Sequence, residues 1–198
     1  MTGTPQIGQS LDLFLSLRAP VALARVLQAI ADIALPLAYH IRRGLLAGEF
    51  ESAVGPTHDG VAQTALDVLA DDAFVNGLAG ASVRAIVSEE RDRPVALDPG
   101  GAFLVAIDPL DGSSNIETNI TIGTIFSVLD APAGELGAAQ FLQPGVNQRA
   151  AGFVFYGPRV AFVFTIAAGV HIATLDPDAN AFHMSRIDVR VPAGSSVL

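Results

Sequence analysis

The sequence predicts a layered α/β or α+β domain, a helix–sheet sandwich built on one large sheet. Three observations carry this. Apolar residues recur at three- and four-residue steps only in the first part of the chain, where Val21, Ala24, Leu27, Ile30, Ala34, Leu37 and Ile41 fall on one face. From Val83 onward, short β-type apolar runs dominate. Turn residues then punctuate the runs, as at Gly157-Pro158, Gly169 and Asp176-Pro177-Asp178. Helices followed by many strands are the pattern of packed layers. A chain of 198 residues is long enough to bury a real core as one domain, or as two small ones.

The elements follow in order. The first ten residues are polar and read as loose. An apolar run after them is interrupted by Asp12 and Arg18. A helix is predicted from Pro20 to about Leu46. Pro20 suits a first turn, where its missing N–H is not needed. Pro36 is expected to kink or split the helix. Arg42, Arg43 and Gly44 read as its end. Residues 49–60 form a connection. A second helix is predicted from Val61 to about Gly77, with Val61, Ala65, Leu69 and Phe74 on one face and Asp71 and Asp72 elsewhere. Strands are predicted over 83–87, 102–107, 121–129, 153–156, 160–166, 170–175 and 181–184. No internal repeat, low-complexity tract or domain linker stands out.

Composition excludes several function classes. The chain carries 20 Asp and Glu against 11 Lys and Arg, a formal charge of −9. That balance argues against nucleic-acid binding, which rests on cations neutralising phosphates. Half of the residues are hydrophobic and 16% are charged, which excludes intrinsic disorder. Cysteine is absent, so there is no disulfide framework and no thiolate zinc site. The uncharged stretch Val160 to Leu175 is shorter than the roughly 20 residues of a membrane span. Gly169 and His171 interrupt it, and it reads as two buried strands, so no membrane partner is expected. No basic region precedes the first apolar run, so no signal peptide is predicted. The compartment expected from these absences is the cytoplasm.

The chemistry-bearing residues are carboxylates. Asp108-Pro109-Leu110-Asp111-Gly112-Ser113-Ser114-Asn115 follows an apolar strand, at the kind of strand end where ligands bind in open α/β sheets. A tight turn there can aim both Asp carboxylates and the Leu110 carbonyl at one point, a donor set for a hard cation such as Mg²⁺ or Mn²⁺. Gly112, Ser113 and Ser114 offer amides and hydroxyls to a phosphate. The D-P-x-D string alone reads more readily as an Asx turn capping a strand; the complete string after a buried strand is what points to a site. Glu89 and Glu90 end the preceding strand, where they either join Asp108 or are simply solvated. Asp67 lies between Leu66 and Val68 on an apolar helix, facing solvent or a positive group. Together these acids suggest metal-assisted phosphoryl chemistry. Divalent ions neutralise a phosphate ester and activate an attacking water, and the remaining carboxylates accept its proton.

The motifs resemble class I fructose-1,6-bisphosphatase. The matching segments are Val87-Ser88-Glu89-Glu90, Ile107-Asp108 through Ile116, and Ile122-Gly123-Thr124-Ile125-Phe126-Ser127. Leu66-Asp67-Val68, Gln143-Pro144-Gly145, Ala150-Ala151-Gly152, Tyr156-Gly157, Gly169-Val170 and Leu175-Asp176-Pro177 also fit, in order and over nearly the whole chain. The resemblance implies the sugar-phosphatase type of sandwich. It implies Mg²⁺ (or Mn²⁺) held by Glu89, Asp108, the Leu110 carbonyl and Asp111. It implies Asp67 and Glu90 as the catalytic pair that polarises the water, and Asp111, Gly112, Ser113 and Ser114 as contacts of the 1-phosphate. The reaction implied is hydrolysis of fructose 1,6-bisphosphate to fructose 6-phosphate and phosphate by in-line attack of a metal-activated water, in gluconeogenesis or the Calvin cycle. A homo-oligomer, a homotetramer in the family, is the implied assembly.

Two departures modify the expectation. The family has an Asp at the position of Val61 and usually a Lys at that of Thr64; Asp59 is the nearest acid to Val61. The chain also stops at Leu198, and residues 1–198 are expected to be the N-terminal metal-binding domain without the family's C-terminal sugar-binding domain. The alternatives are a catalytically inactive truncated homologue, an oligomer-binding module, and an inositol-monophosphatase-like phosphatase.

Overall fold

The computed structural model describes residues 6–47, 53–56, 62–116, 118–134, 136–166, 169–192 and 194. Among them are three α-helices: α1 (Leu11–Arg18), α2 (Val21–Arg43) and α3 (Ala65–Gly77). A small hairpin pairs β1 (Ala53–Pro56) with β2 (Ala62–Thr64). The main sheet contains β3 (Val83–Ser88), β4 (Val95–Ala96), β5 (Phe103–Asp111), β6 (Ile122–Asp130), β7 (Gln148–Tyr156), β8 (Val160–Ile166), β9 (Val170–Asp176) and β10 (Ala181–Val189). Its order is β10-β9-β8-β7-β6-β5-β3-β4. Every pairing is antiparallel except β3 with β5.

The helices cover one face of this sheet, as a sandwich requires. Strand alternation shows it most cleanly in β8, where Val160, Phe162, Phe164 and Ile166 are buried and the residues between them are half-buried. Phe162 stacks on Phe164 with centroids 4.9 Å apart, and Phe14 of α1 meets Phe164 edge-on at 6.0 Å. The opposite face is largely open. Ile125, Phe155 and Val170 are exposed there, and among the described residues Ala131, Leu136 and Phe141 cap a small patch over Ala85, Leu104 and Leu129.

Several expectations about the elements are corrected. Residues 6–10 are not loose. Gly8 N–H donates to Met184 O at 2.7 Å, and Met184 N–H donates to Gln9 O at 2.8 Å. The backbone groups of edge strand β10 find partners in this segment. Helix α1 was not expected; it buries Leu11, Phe14 and Leu15 at helical spacing, with Asp12 in its first turn and Arg18 in its last. Pro36 does not split α2. It lies on the exposed face, so the carbonyl freed one turn earlier can turn to water, while Ala34, Leu37 and Ala38 hold the buried side. By length and composition α2 could cross a bilayer, but its apolar side, including Leu23, Val26, Leu27 and Ile30, lies in the core of this fold.

Helix α3 begins at Ala65, later than expected, because Thr64 is its N-cap. Its buried face is Leu66, Asp67, Ala70, Asp71 and Phe74; Ala65 and Leu69 are only half-buried. Asp71 therefore joins the buried side, contrary to expectation, because Arg91 neutralises it. The turn from β4 into β5 passes directly over β3. A Cβ on Gly101 would lie 2.3 Å from the Arg84 backbone nitrogen, so only glycine fits.

Candidate functional site

The parallel pairing of β3 and β5 brings two acidic strand ends to the same edge of the sheet. Ser88 pairs with Ile107, and Glu89 N–H extends the ladder by donating to Ile107 O at 3.1 Å. Glu89 and Asp108 are thereby neighbours. Their carboxyls share a hydrogen bond, and the charge of Asp111 also acts on Asp108. Burial, reinforced by Glu89, pushes the Asp108 carboxyl up to about 7, opposed by a hydrogen bond from Leu110 N–H.

The D-P-L-D segment is not a turn beyond the strand, as the sequence suggested, but part of β5. Asp108 pairs with Ile125 and Asp111 with Gly123, so three steps on β5 face two on β6. This is a β-bulge. It tolerates Pro109, which has no N–H to give a ladder. Leu110 N–H instead donates to Asp108 Oδ1 at 3.1 Å. The chain then turns at Gly112, whose φ of 81° favours glycine, into a short 3-10 turn over Ser113–Asn115. Ser113 is half-buried and Ser114 exposed.

Asp67 is not on an exposed surface. It is 2% exposed and closes a capping box with Thr64. Its Oδ2 accepts from Thr64 N–H at 2.7 Å and from the Thr64 hydroxyl at 2.8 Å. Its Oδ1 is buried without a hydrogen-bond partner. Glu90 is half-buried, and its N–H donates to the buried Ser88 hydroxyl at 3.3 Å. The next residue, Arg91, anchors this turn to α3 through Asp71 and through Asp72 at 2.6 Å. Val61 and Asp59, where the sequence departs from its expected pattern, lie outside the described residues.

The structure thus unites Glu89, Asp108 and Asp111 at one edge and places Asp67 on a separate helix. Among the described residues, no three Asp, Glu or His side chains converge on one cation position. The donor chemistry nevertheless fits a hard divalent ion. All of the groups are oxygens, two carboxyls are pressed together, and Asp67 Oδ1 is a buried acceptor with nothing to accept. A groove of about 730 Å³ opens from Glu89 and Asp108 across Ile125, Phe153 and Val163 on the open face.

The comparisons with known proteins decide the family. Residues 9–186 match the model for the fructose-1,6-bisphosphatase N-terminal domain. The chain belongs to the fructose-1,6-bisphosphatase family. It is 50% identical over 167 residues to a class 1 fructose-1,6-bisphosphatase of Paracoccus denitrificans, covering 84% of this chain and 49% of that one. It is 40% identical over 176 residues to the class 1 enzyme of Shewanella oneidensis, covering 88% and 54%. The holo crystal structure of Leishmania major fructose-1,6-bisphosphatase superposes with a TM-score of 0.85 at 26% identity, covering 95% of this chain and 61% of that one. The family assignment and the sandwich fold agree with the sequence reading. The chain spans about half the length of these curated relatives.

Sequence reasoning missed three residues around the family's acidic motifs. Arg91 directly follows Glu89-Glu90, but its partners Asp71 and Asp72 are about twenty positions away, so nothing local announces the ion pair. Thr124 and Tyr156 are buried hydroxyls behind the bulge. A polar Thr at an inward position of β6 was a readable signal.

Proposed function

We propose that this chain is the metal-binding half of a fructose-1,6-bisphosphatase that hydrolyses the 1-phosphate of fructose 1,6-bisphosphate to fructose 6-phosphate and phosphate. The observation that carries the reading is the Glu89–Asp108 carboxyl pair at the shared end of β3 and β5, in a chain whose residues 9–186 match the family. Glu89, Asp108, Asp111 and the Leu110 carbonyl would hold Mg²⁺, or Mn²⁺ in its place. When bound, such an ion supplies charge neutralisation on the phosphate and a more acidic water.

The protein's own groups do the rest. Gly112, Ser113 and Ser114, together with Asp111, would orient the 1-phosphate at the head of the 3-10 turn. Asp67 and Glu90 would align the attacking water and take its proton. The buried, half-satisfied carboxylate of Asp67 suits that task, because Thr64 fixes one oxygen and leaves the other open. The groove floor is mostly apolar, so the substrate would bind at the acidic end. By the family resemblance, its sugar and 6-phosphate would be held by a separate sugar-binding half. By the same resemblance the enzyme would be a cytoplasmic homo-oligomer.

A second reading is a chain that binds cation and phosphate without turnover. It is favoured by the largely apolar floor of the groove beside the acids, which offers few donors to a sugar. Titration of Mn²⁺ into the purified chain, followed by phosphate release from fructose 1,6-bisphosphate with Mg²⁺, separates the readings. The first expects both binding and release, each lost in Glu89→Ala. Binding with release no greater than in Glu89→Ala leaves the second. No Mn²⁺ binding at all defeats both.

A further inference from the structure

Two buried hydroxyls stand behind the acidic bulge and have no part in the chemistry above. Thr124 is fully buried on β6, and Tyr156, on β7, is 5% exposed. We propose that Thr124 and Tyr156 are positioning residues that set the Asp108 carboxylate through the Pro109–Leu110 peptide.

One chain of hydrogen bonds links the two hydroxyls to Asp108. The bulge interrupts the β5–β6 ladder between Asp108 and Asp111. Pro109 is buried there, and its carbonyl needs a donor that the ladder no longer supplies. The Thr124 hydroxyl donates to it at 2.8 Å. A threonine has one hydroxyl proton, so the 2.8 Å contact between Thr124 Oγ1 and Tyr156 OH must be donated by the tyrosine. Burial pushes the Tyr156 phenol up and so keeps it a neutral donor, although the Thr124 contact pulls the other way.

The Pro109 carbonyl and the Leu110 N–H belong to one rigid plane. Holding the carbonyl on the Thr124 side therefore aims the N–H at Asp108 Oδ1, where it donates at 3.1 Å. The sequence Tyr156, Thr124, peptide, Asp108 is continuous, and buried hydrogen bonds in series reinforce one another. Groups that orient a metal ligand in this way commonly carry about 10- to 100-fold in metal affinity. That consequence rests on the cation reading above; the alignment of Leu110 N–H does not.

The test uses the whole 198-residue chain with Thr124→Val, Thr124→Ser and Tyr156→Phe. Amide hydrogen exchange is read at Leu110 without metal, and Mn²⁺ affinity is read by electron paramagnetic resonance. Thr124→Val is expected to speed exchange at Leu110 and leave Val128 and Val154 unchanged. It should also weaken Mn²⁺ binding by about tenfold. Thr124→Ser keeps the hydroxyl and should restore both, and Tyr156→Phe should move both in the same direction by less. Hydroxyls that merely satisfy one another would change the melting temperature alone. Wild-type Leu110 exchange and Mn²⁺ affinity in a folded Thr124→Val chain would overturn the proposal. If that variant does not fold, the same null result in Tyr156→Phe overturns it. Failure of the wild-type chain to bind Mn²⁺ would defeat the cation reading, and Leu110 exchange would then judge the positioning by itself.

Discussion

The two faces of the large sheet have divided their duties. On the covered face, Phe162 and Phe164 of β8 are almost wholly buried against the helices, which contribute the equally buried Phe14 and Phe74. On the open face, Ile125 and Phe155 keep 46% of their surface, and the acidic edge lies at one end. The same strands build both, because successive residues point in opposite directions. Stability is concentrated where side chains are dry, which leaves the other side free to carry groups that are unfavourable on their own. The Glu89–Asp108 contact is such a group: burial and the neighbouring Glu89 both push the Asp108 carboxyl up.

The largest expected effect tests that division directly. Phe162→Ala should cost about 3–5 kcal/mol in denaturant unfolding, the range for an aromatic removed from a core. Ile125→Ala, two strands away in the sheet and facing the other way, should cost about 1 kcal/mol or less. Equal losses would mean that the open face is as well packed as the covered one.

A second effect comes from the acidic edge and has the opposite sign. The Asp108 carboxyl stands at about 7 against an ordinary 3.8. Between those values the folded chain retains a proton that the unfolded chain has released. The contribution of this group to stability is therefore full below its ordinary value and is lost as pH rises towards 7. Melting temperatures measured across that window without metal should show a downward slope in the wild-type chain relative to Asp108→Asn. An identical slope in both would remove the crowding from the account.

The smallest effect lies where the two duties meet, at the first turn of α3. Thr64→Ala removes a cap and should cost about 1 kcal/mol by thermal unfolding. It also frees Asp67 Oδ2 from one of its two donors, since the backbone N–H remains. A change beyond that of an ordinary cap would show that Thr64 supports more than the helix start.

Much of this arrangement was legible in the sequence, for identifiable reasons. The span of β8 was read correctly, because its apolar run is bounded by Gly157-Pro158 and Gly169. The far half of β10 was not, since Ser185, Arg186 and Asp188 lack strand patterning; their register with β9 is also irregular. The eight-residue α1 is too short for its period to stand out, and its order depends on packing against α2 and β10. The start of α3 was readable in Thr64-x-x-Asp67, a capping signature passed over in favour of the earlier Val61. The strand character of Pro109 was not readable, because proline argues against a strand unless a bulge receives it. The acids were found by residue type and order, but their grouping depends on the parallel pairing of β3 with β5, which no local pattern specifies.

That parallel pairing also bears on the order in which the sheet forms. Strands β5 to β10 are neighbours in both sequence and space, so each can zip onto the one before it as an antiparallel hairpin. Strand β3 meets β5 only after the chain has gone out to β4 and returned through the tight passage at Gly101. Parallel pairing is intrinsically slow to form, so docking of β3 is the later event, and Glu89 reaches Asp108 only when it is complete. In a refolding experiment, the acid pair would mark the closing phase of sheet assembly, distinct in time from the zippering of the hairpins.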